Sequence, residues 1–351
     1  MKKSLIAAAV LATAGMASAQ SSVTLFGIVD TALQHGTGSI SDKTRLHPNG
    51  SYASRLGFRG TEDLGGGLSA GFWLEGAING DDGTSVASNT NNQASGGGPA
   101  LAGSQGFTFM RRSTLSLAGS WGELRLGRDI NPQYYNLSTF DPFGAVGVGA
   151  SLTNVNPITG VVKVRSSNSI GYFLPPKLGG FYGQAMYYLG ENNTGTATED
   201  DGTGAGVRLG YASGPINVAI AVSRTQYAGG DVEQNNIGGS YDFKVVKLMA
   251  QYGRDKNGSV NARGYQLTGV VPVGVGEIKA GYTTYRTDAP GEPEARKVAV
   301  GYVHNLSKRT GVYVHFARLK NSGGASFALQ GATTAPNTSS SGYDIGIRHS
   351  F

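Results

Sequence analysis

Apolar residues recur at every second position along most of this 351-residue chain. Ile216, Val218, Ile220 and Val222 form one such series, and Tyr343, Ile345, Ile347, His349 and Phe351 end the chain on another. A period of two places one set on a single face of a β-strand and the intervening polar set on the other. Sixteen segments of this kind can be counted, starting with Val23 to Leu33. Short turns (Asp63–Gly67, Gly119–Gly122, Ser213–Pro215, Leu306–Lys308) alternate with longer polar loops (His35–Gly50, Asn79–Gln105, Glu191–Thr203, Asn321–Ser341). An even number of strands of roughly 9–11 residues, with short turns at one end and long loops at the other, is the pattern of a bacterial outer-membrane barrel. A soluble β-sandwich predicts neither this strict asymmetry nor an aromatic last residue. Beyond residue 19 no run of 18 apolar residues remains, which excludes helical spans.

The amino terminus names the compartment. Lys2 and Lys3 precede an apolar core from Ile6 to Met16, and Ala17-Ser18-Ala19 forms a small-residue cleavage site. These parts predict a signal peptide over residues 1–19, too short to be a membrane anchor, and one barrel domain over residues 20–351. The exported chain has no cysteine, so a closed sheet without free edges must do what disulfides do elsewhere. The formal charge of +6 falls to +4 when Lys2 and Lys3 leave, and no basic run follows, which argues against nucleic acid as a partner.

The apolar positions fix which polar residues face the lumen. Leu56 and Phe58 outward send Arg55 and Arg59 inward, Phe72 and Leu74 outward send Glu75 inward, and Leu115 and Leu117 send Arg112 inward and Arg111 outward. In the same way Arg125 and Arg165 turn inward, Arg128 turns outward, and Arg208 and Lys279 join the lumen lining away from the narrowest point. An unpaired outward arginine at mid-membrane costs about 2–4 kcal/mol, so Arg128 is expected at a subunit contact or near the rim. The alternation stops for 35 residues, Ile130 to Val164, which include Asp141-Pro142-Phe143-Gly144. A structureless stretch of that length needs a functional reason, and folding into the lumen to narrow it is the expected one.

Other chemistry is sparse. The five histidines (His35, His47, His304, His315, His349) have no metal spacing, and the last three read as surface or interface residues. Glycine clusters such as Gly144–Gly149 lack the phosphate-loop pattern, and the acidic groups Asp81-Asp82 and Glu199-Asp200-Asp201 read as solvated loop charge. No catalytic constellation, cofactor or metal is expected.

Several stretches resemble the Gram-negative general diffusion porins, β-proteobacterial type, and within them anion-selective trimeric porins. They include Val23-Thr24-Leu25-Phe26-Gly27-Ile28-Val29-Asp30, Ser54-Arg55-Leu56-Gly57-Phe58-Arg59-Gly60, Gly71-Phe72-Trp73-Leu74-Glu75, Arg111-Arg112-Ser113-Thr114 and Gly301-Tyr302-Val303-His304-Asn305-Leu306. The terminal Gly346-Ile347-Arg348-His349-Ser350-Phe351 belongs with them. The resemblance implies an all-β fold, a 16-stranded antiparallel transmembrane barrel with the third outer loop in the lumen, assembled as a homotrimer. It implies a constriction with Arg55, Arg112 (Arg111 in reserve) and Arg165 facing Glu75 and Asp141, although Asp-Pro-Phe-Gly here departs from the family's frequent Pro-Glu-Phe-Gly. The function implied is passive diffusion of small anions and hydrophilic solutes, with a substrate-specific porin holding a saturable site as the alternative. A barrel enzyme and an adhesin are more distant alternatives. The partners implied are outer-membrane lipids, lipopolysaccharide, and the assembly machinery that reads a terminal phenylalanine, here Phe351. The loop Asn79–Gln105 is expected to reach a neighbouring subunit near Arg128.

Overall fold

The computed structural model describes residues 22–97 and 106–351, so the expected signal peptide lies outside the described residues. Seventeen strands run in order: β1 Ser22–Thr37, β2 Lys43–Pro48, β3 Arg55–Gly65, β4 Leu68–Ala77, β5 Arg112–Gly119, β6 Gly122–Ile130, β7 Arg165–Phe173, β8 Phe181–Tyr188 and β9 Gly204–Ser213. They continue as β10 Ile216–Thr225, β11 Val232–Asp242, β12 Lys247–Asn257, β13 Val260–Val273, β14 Gly276–Thr287, β15 Glu294–Asn305, β16 Thr310–Ser322 and β17 Ser339–Ser350. From β3 onward each strand pairs antiparallel with the next, and β17 returns to β1 with Ile28 opposite Ser350. The sheet is therefore closed and every strand edge is satisfied.

Seventeen strands make sixteen staves. β1 pairs with β3 along its first half (Leu25 opposite Phe58) and with β2 along its second (Leu33 opposite Leu46), so β2 and β3 share one stave. This corrects the polar loop expected from His35 to Gly50. The break between β2 and β3 is closed by Asp30 of β1, whose carboxylate accepts the backbone N–H groups of Gly50, Ser51 and Tyr52 and the hydroxyl of Tyr313.

Polarity is inverted relative to a soluble protein. The exposed alternation is apolar, for example Ile216, Val218, Ile220 and Val222, while Asp30, Gln34, Gln234, Gln266, Lys297 and Asp344 are buried on the opposite face. At the seam the backbones of Phe351 and Gly27 exchange two hydrogen bonds of 3.0 and 3.1 Å. Gly27 has no side chain there because a Cβ would meet the Phe351 ring and the Arg55 carbonyl.

The segment between β6 and β7 packs against the buried face of the wall. Pro132 starts helix α1 (Pro132–Thr139) at the position where its fixed φ is pre-organised and its missing N–H costs nothing. A second, single-turn helix α2 covers Leu152–Val155. Phe143, Val148 and Leu152 of this segment form a buried cluster with Tyr285, Ala295, Ala317 and Leu319 of the wall. Burying each large side chain stabilises by roughly 1.5–3 kcal/mol, so the apolar core of this molecule lies between loop and wall. His315 belongs to it: the ring is fully buried, stacked on Tyr313 and edge-on to Phe143. That corrects the surface position expected for His315, because Val314 and Phe316 face outward and the residue between them faces in.

Candidate pore constriction

The first half of the barrel gathers arginines on its inner wall. Glu75 on β4 is 7% exposed and accepts Nε of Arg111 at 2.6 Å and the indole N–H of Trp73 at 3.0 Å. Arg55 places a guanidinium nitrogen 3.5 Å from the same carboxylate. Arg165, at the start of β7, donates Nε to the Arg111 carbonyl at 2.7 Å. Arg55, Arg111 and Arg165 thus surround one acid, leaving three minus one, an excess of two positive charges.

Both Arg111 and Arg112 point to the lumen. Arg111 precedes β5, so strand alternation does not govern it; its N–H binds the Glu75 carbonyl and its side chain folds onto the Glu75 carboxylate. This corrects the outward direction expected for Arg111 and makes it the middle arginine of the group. Arg112 pairs across the sheet with Glu75 but turns toward the short-turn end, 3.7 Å from Asp129 and over the Trp73 ring. Arg125 binds Glu123 with two hydrogen bonds of 2.8 Å, Asp129 with one of 3.1 Å, and lies over the Phe173 ring. Arg59 packs over the Phe26 and Trp73 rings. Arg112 and Arg125 against Glu123 and Asp129 form a rung with no net charge (two minus two). A cavity of about 280 Å³ opens between the two groups, with Tyr135 of α1 closing its far side.

Asp141 does not face the arginines. Its carboxylate is buried inside the loop, where it accepts the N–H groups of Phe143 (3.0 Å) and Ser151 (2.8 Å) and the amide of Asn154 (2.7 Å). Burial raises its pKa, with those hydrogen bonds and the charge of Lys297 acting in the opposite direction. The acid that faces the arginine wall in its place is Asp129, which sequence reasoning missed although it shares the inner alternation with Glu123 and Arg125.

Arg128 is also satisfied at home. It donates to the carbonyls of Met110 (2.6 Å) and Asn89 (3.1 Å) and to the Ser167 hydroxyl (2.8 Å). Asn92 exchanges hydrogen bonds with the Ser167 backbone, so residues 89–93 of the second long loop lie on their own chain. This corrects the outward, subunit-facing place expected for Arg128; a long side chain beside a loop finds its acceptors there.

The second half of the barrel holds the loop. Arg208 donates to Asn136 and Thr139 of α1, at 3.0 Å each. Lys279 donates to the Pro142 carbonyl at 2.8 Å, and Lys297 to the carbonyls of Val148 and Ala150. Asp344 accepts the Val148 N–H at 2.8 Å. Arg208 and Lys279 are therefore loop anchors, not free lining away from the narrow point. Lys297 is a second residue that sequence reasoning missed, although Val298 and Val300 outward place it inward.

A family model described as Gram-negative porin matches residues 6–324. The chain belongs to this family. It is 40% identical to outer membrane porin protein 32 of Delftia acidovorans over the full length of both chains, and 30% identical to an outer membrane porin of Bordetella pertussis, again over both full lengths. Among solved structures it matches an anion-selective porin from Comamonas acidovorans with a TM-score of 0.81 and 37% identity, covering 95% of this chain and 100% of that one. The match to OmpT of Vibrio cholerae, with a TM-score of 0.66 at 14% identity, speaks for the fold alone. As a Gram-negative porin the chain is an outer-membrane barrel, and the anchored loop and arginine wall are two sides of the porin's lumen.

Proposed function

We propose that this porin is a passive, anion-preferring diffusion channel that catalyses nothing. The observation that carries the reading is the uneven pairing at Glu75: three arginines surround one acid that Arg111 and Trp73 already occupy. A solute passing between this wall and Tyr135 meets fixed positive charge in a narrow, low-dielectric passage, which raises the local anion concentration. Arginine stays protonated at any working pH, so the preference does not titrate away. The matched Comamonas porin is described as anion-selective, which supports the same reading.

The decisive measurement is the zero-current potential of the channel in a planar bilayer across a KCl gradient. Chloride is expected to carry most of the current, more so in dilute salt, where the screening length exceeds roughly 10 Å below 0.1 M. A preference for potassium in dilute KCl sinks the reading. A substrate-specific porin is the second reading, favoured by the guanidinium–aromatic stacks of Arg112 on Trp73 and Arg125 on Phe173. In the same bilayer, stepwise addition of an aromatic carboxylate separates the two: saturable block supports a specific site, and a current linear in concentration supports simple diffusion.

Assembly belongs to the proposal. Residues 1–19 act as the signal peptide, the barrel forms a homotrimer, and Phe351 is read by the assembly machinery. Phe351 also supplies two backbone hydrogen bonds to the seam. Deleting it should lower the yield of heat-modifiable trimer in cells several-fold more than it lowers the melting temperature of trimer already formed. Equal losses in both would reduce Phe351 to a structural clasp.

A further inference from the structure

The outward face of β12–β16 changes character toward the long-loop end. Leu248, Leu267, Val298, Val314 and Phe316 are exposed and apolar. Beyond them, on the same alternation, stand Arg254, Arg263, Arg286, Arg296, Arg318 and Lys320. Register sets them side by side, with Arg254 opposite Arg263, Arg263 opposite Arg286, and Arg296 opposite Lys320. Like charges directly opposed weaken a sheet, so folding does not account for this arrangement. Arg286 pairs with Glu292 and Arg296 with Glu294, whereas Arg254, Arg263, Arg318 and Lys320 form no ion pair among the described residues. The outward positions of β1, β3, β4 and β5 carry no lysine or arginine, so the charge is confined to one side of the barrel.

Shape follows the charge. Arg254, Arg263 and Arg286 line a concavity of about 450 Å³, and Arg296, Arg318 and Lys320 line a second of about 290 Å³. An apolar furrow of about 530 Å³ adjoins both, sharing Tyr252 with the first and Tyr282 with the second. Its floor is low because Gly239 and Ala250 stand opposite each other there. Tyrosines at the edge of an apolar band mark the membrane–water interface, so the cationic cups open at headgroup level.

We propose that this face binds the phosphorylated, acylated sugar lipid of the outer leaflet, lipid A, with its phosphates in the two cups and an acyl chain in the furrow. Charge complementarity selects that occupant. Guanidinium forks match phosphate oxygens bidentately, and a lipid presenting both phosphate and acyl chains satisfies cups and furrow together.

The test uses the whole porin, purified in detergent, with affinity for bis-phosphorylated lipid A read by native mass spectrometry. At about fivefold per basic residue near a charged surface, the triple variant Arg254→Gln/Arg263→Gln/Arg286→Gln should bind roughly a hundredfold more weakly, with conductance and subunit number unchanged. Ala250→Phe fills the furrow without touching a charge and should weaken the same lipid about tenfold, because the acyl chain can no longer bury its surface there. Wild-type affinity in the triple variant overturns the proposal. So does equal binding of the dephosphorylated lipid, displacement of lipid A by millimolar inorganic phosphate, or dissociation of the triple variant's oligomer, which would make this face a subunit contact.

Discussion

The double variant Arg111→Gln/Arg165→Gln is expected to lose the preference for chloride. The group around Glu75 would fall from an excess of two positive charges to none, and the rung of Arg112, Arg125, Glu123 and Asp129 is already neutral. Focused potentials in a narrow cleft change local ion concentration by at least about tenfold, and the chloride-to-potassium permeability ratio should fall by that order. The zero-current potential in a dilute KCl gradient reads the change directly. Barrel stability should hold, because Glu75 keeps Trp73 and Arg55 as partners and a polar lumen substitution mainly tunes selectivity. A permeability ratio equal to that of the wild type would mean that ions do not pass along this wall.

The second large effect is expected from Lys297→Met. The ammonium of Lys297 donates to two loop carbonyls, those of Val148 and Ala150, in a site that is 2% exposed. A buried acceptor left without its donor costs about 1–3 kcal/mol, so two cost enough to raise the released population of the loop about a hundredfold. Single-channel records should show a noisier open level and closures at lower voltage. Selectivity should be unchanged, because no arginine of the Glu75 group touches Lys297. A quiet channel would show that Phe143, Val148 and Leu152 hold the loop by apolar contact alone.

Much of the wall was legible in the sequence because period-two alternation is a local property. Ile216–Val222 and Tyr343–Phe351 lie where their spacing placed them, and Arg55, Arg59, Arg112 and Arg125 turn inward as their neighbours require. The misses occur where alternation is interrupted. Arg111 sits one residue before its strand. At Arg165 the β6–β7 register shifts between Gly127 and Asp129, with Asn168 at a φ of 56°, so its neighbourhood follows from the loop end and not from counting. The continuation of β1 into β2 depends on Asp30 capping a break 20 residues away, a through-space contact without a sequence signature. Asp141 carried the right charge for a pore acid, yet three donors within its own loop claimed it.

Charge and aperture have separate addresses in this barrel. Arg55, Arg111 and Arg165 sit on or beside β3, β5 and β7, whereas Arg208, Lys279, Lys297 and Asp344, which grip the loop, sit on β9, β14, β15 and β17. A lineage under pressure from a new solute or a new toxin could therefore retune which sign passes without altering how large a molecule passes, and the reverse. Exchanging β3–β7 between two such barrels would transplant an ion preference, while exchanging β9–β17 would transplant a size limit.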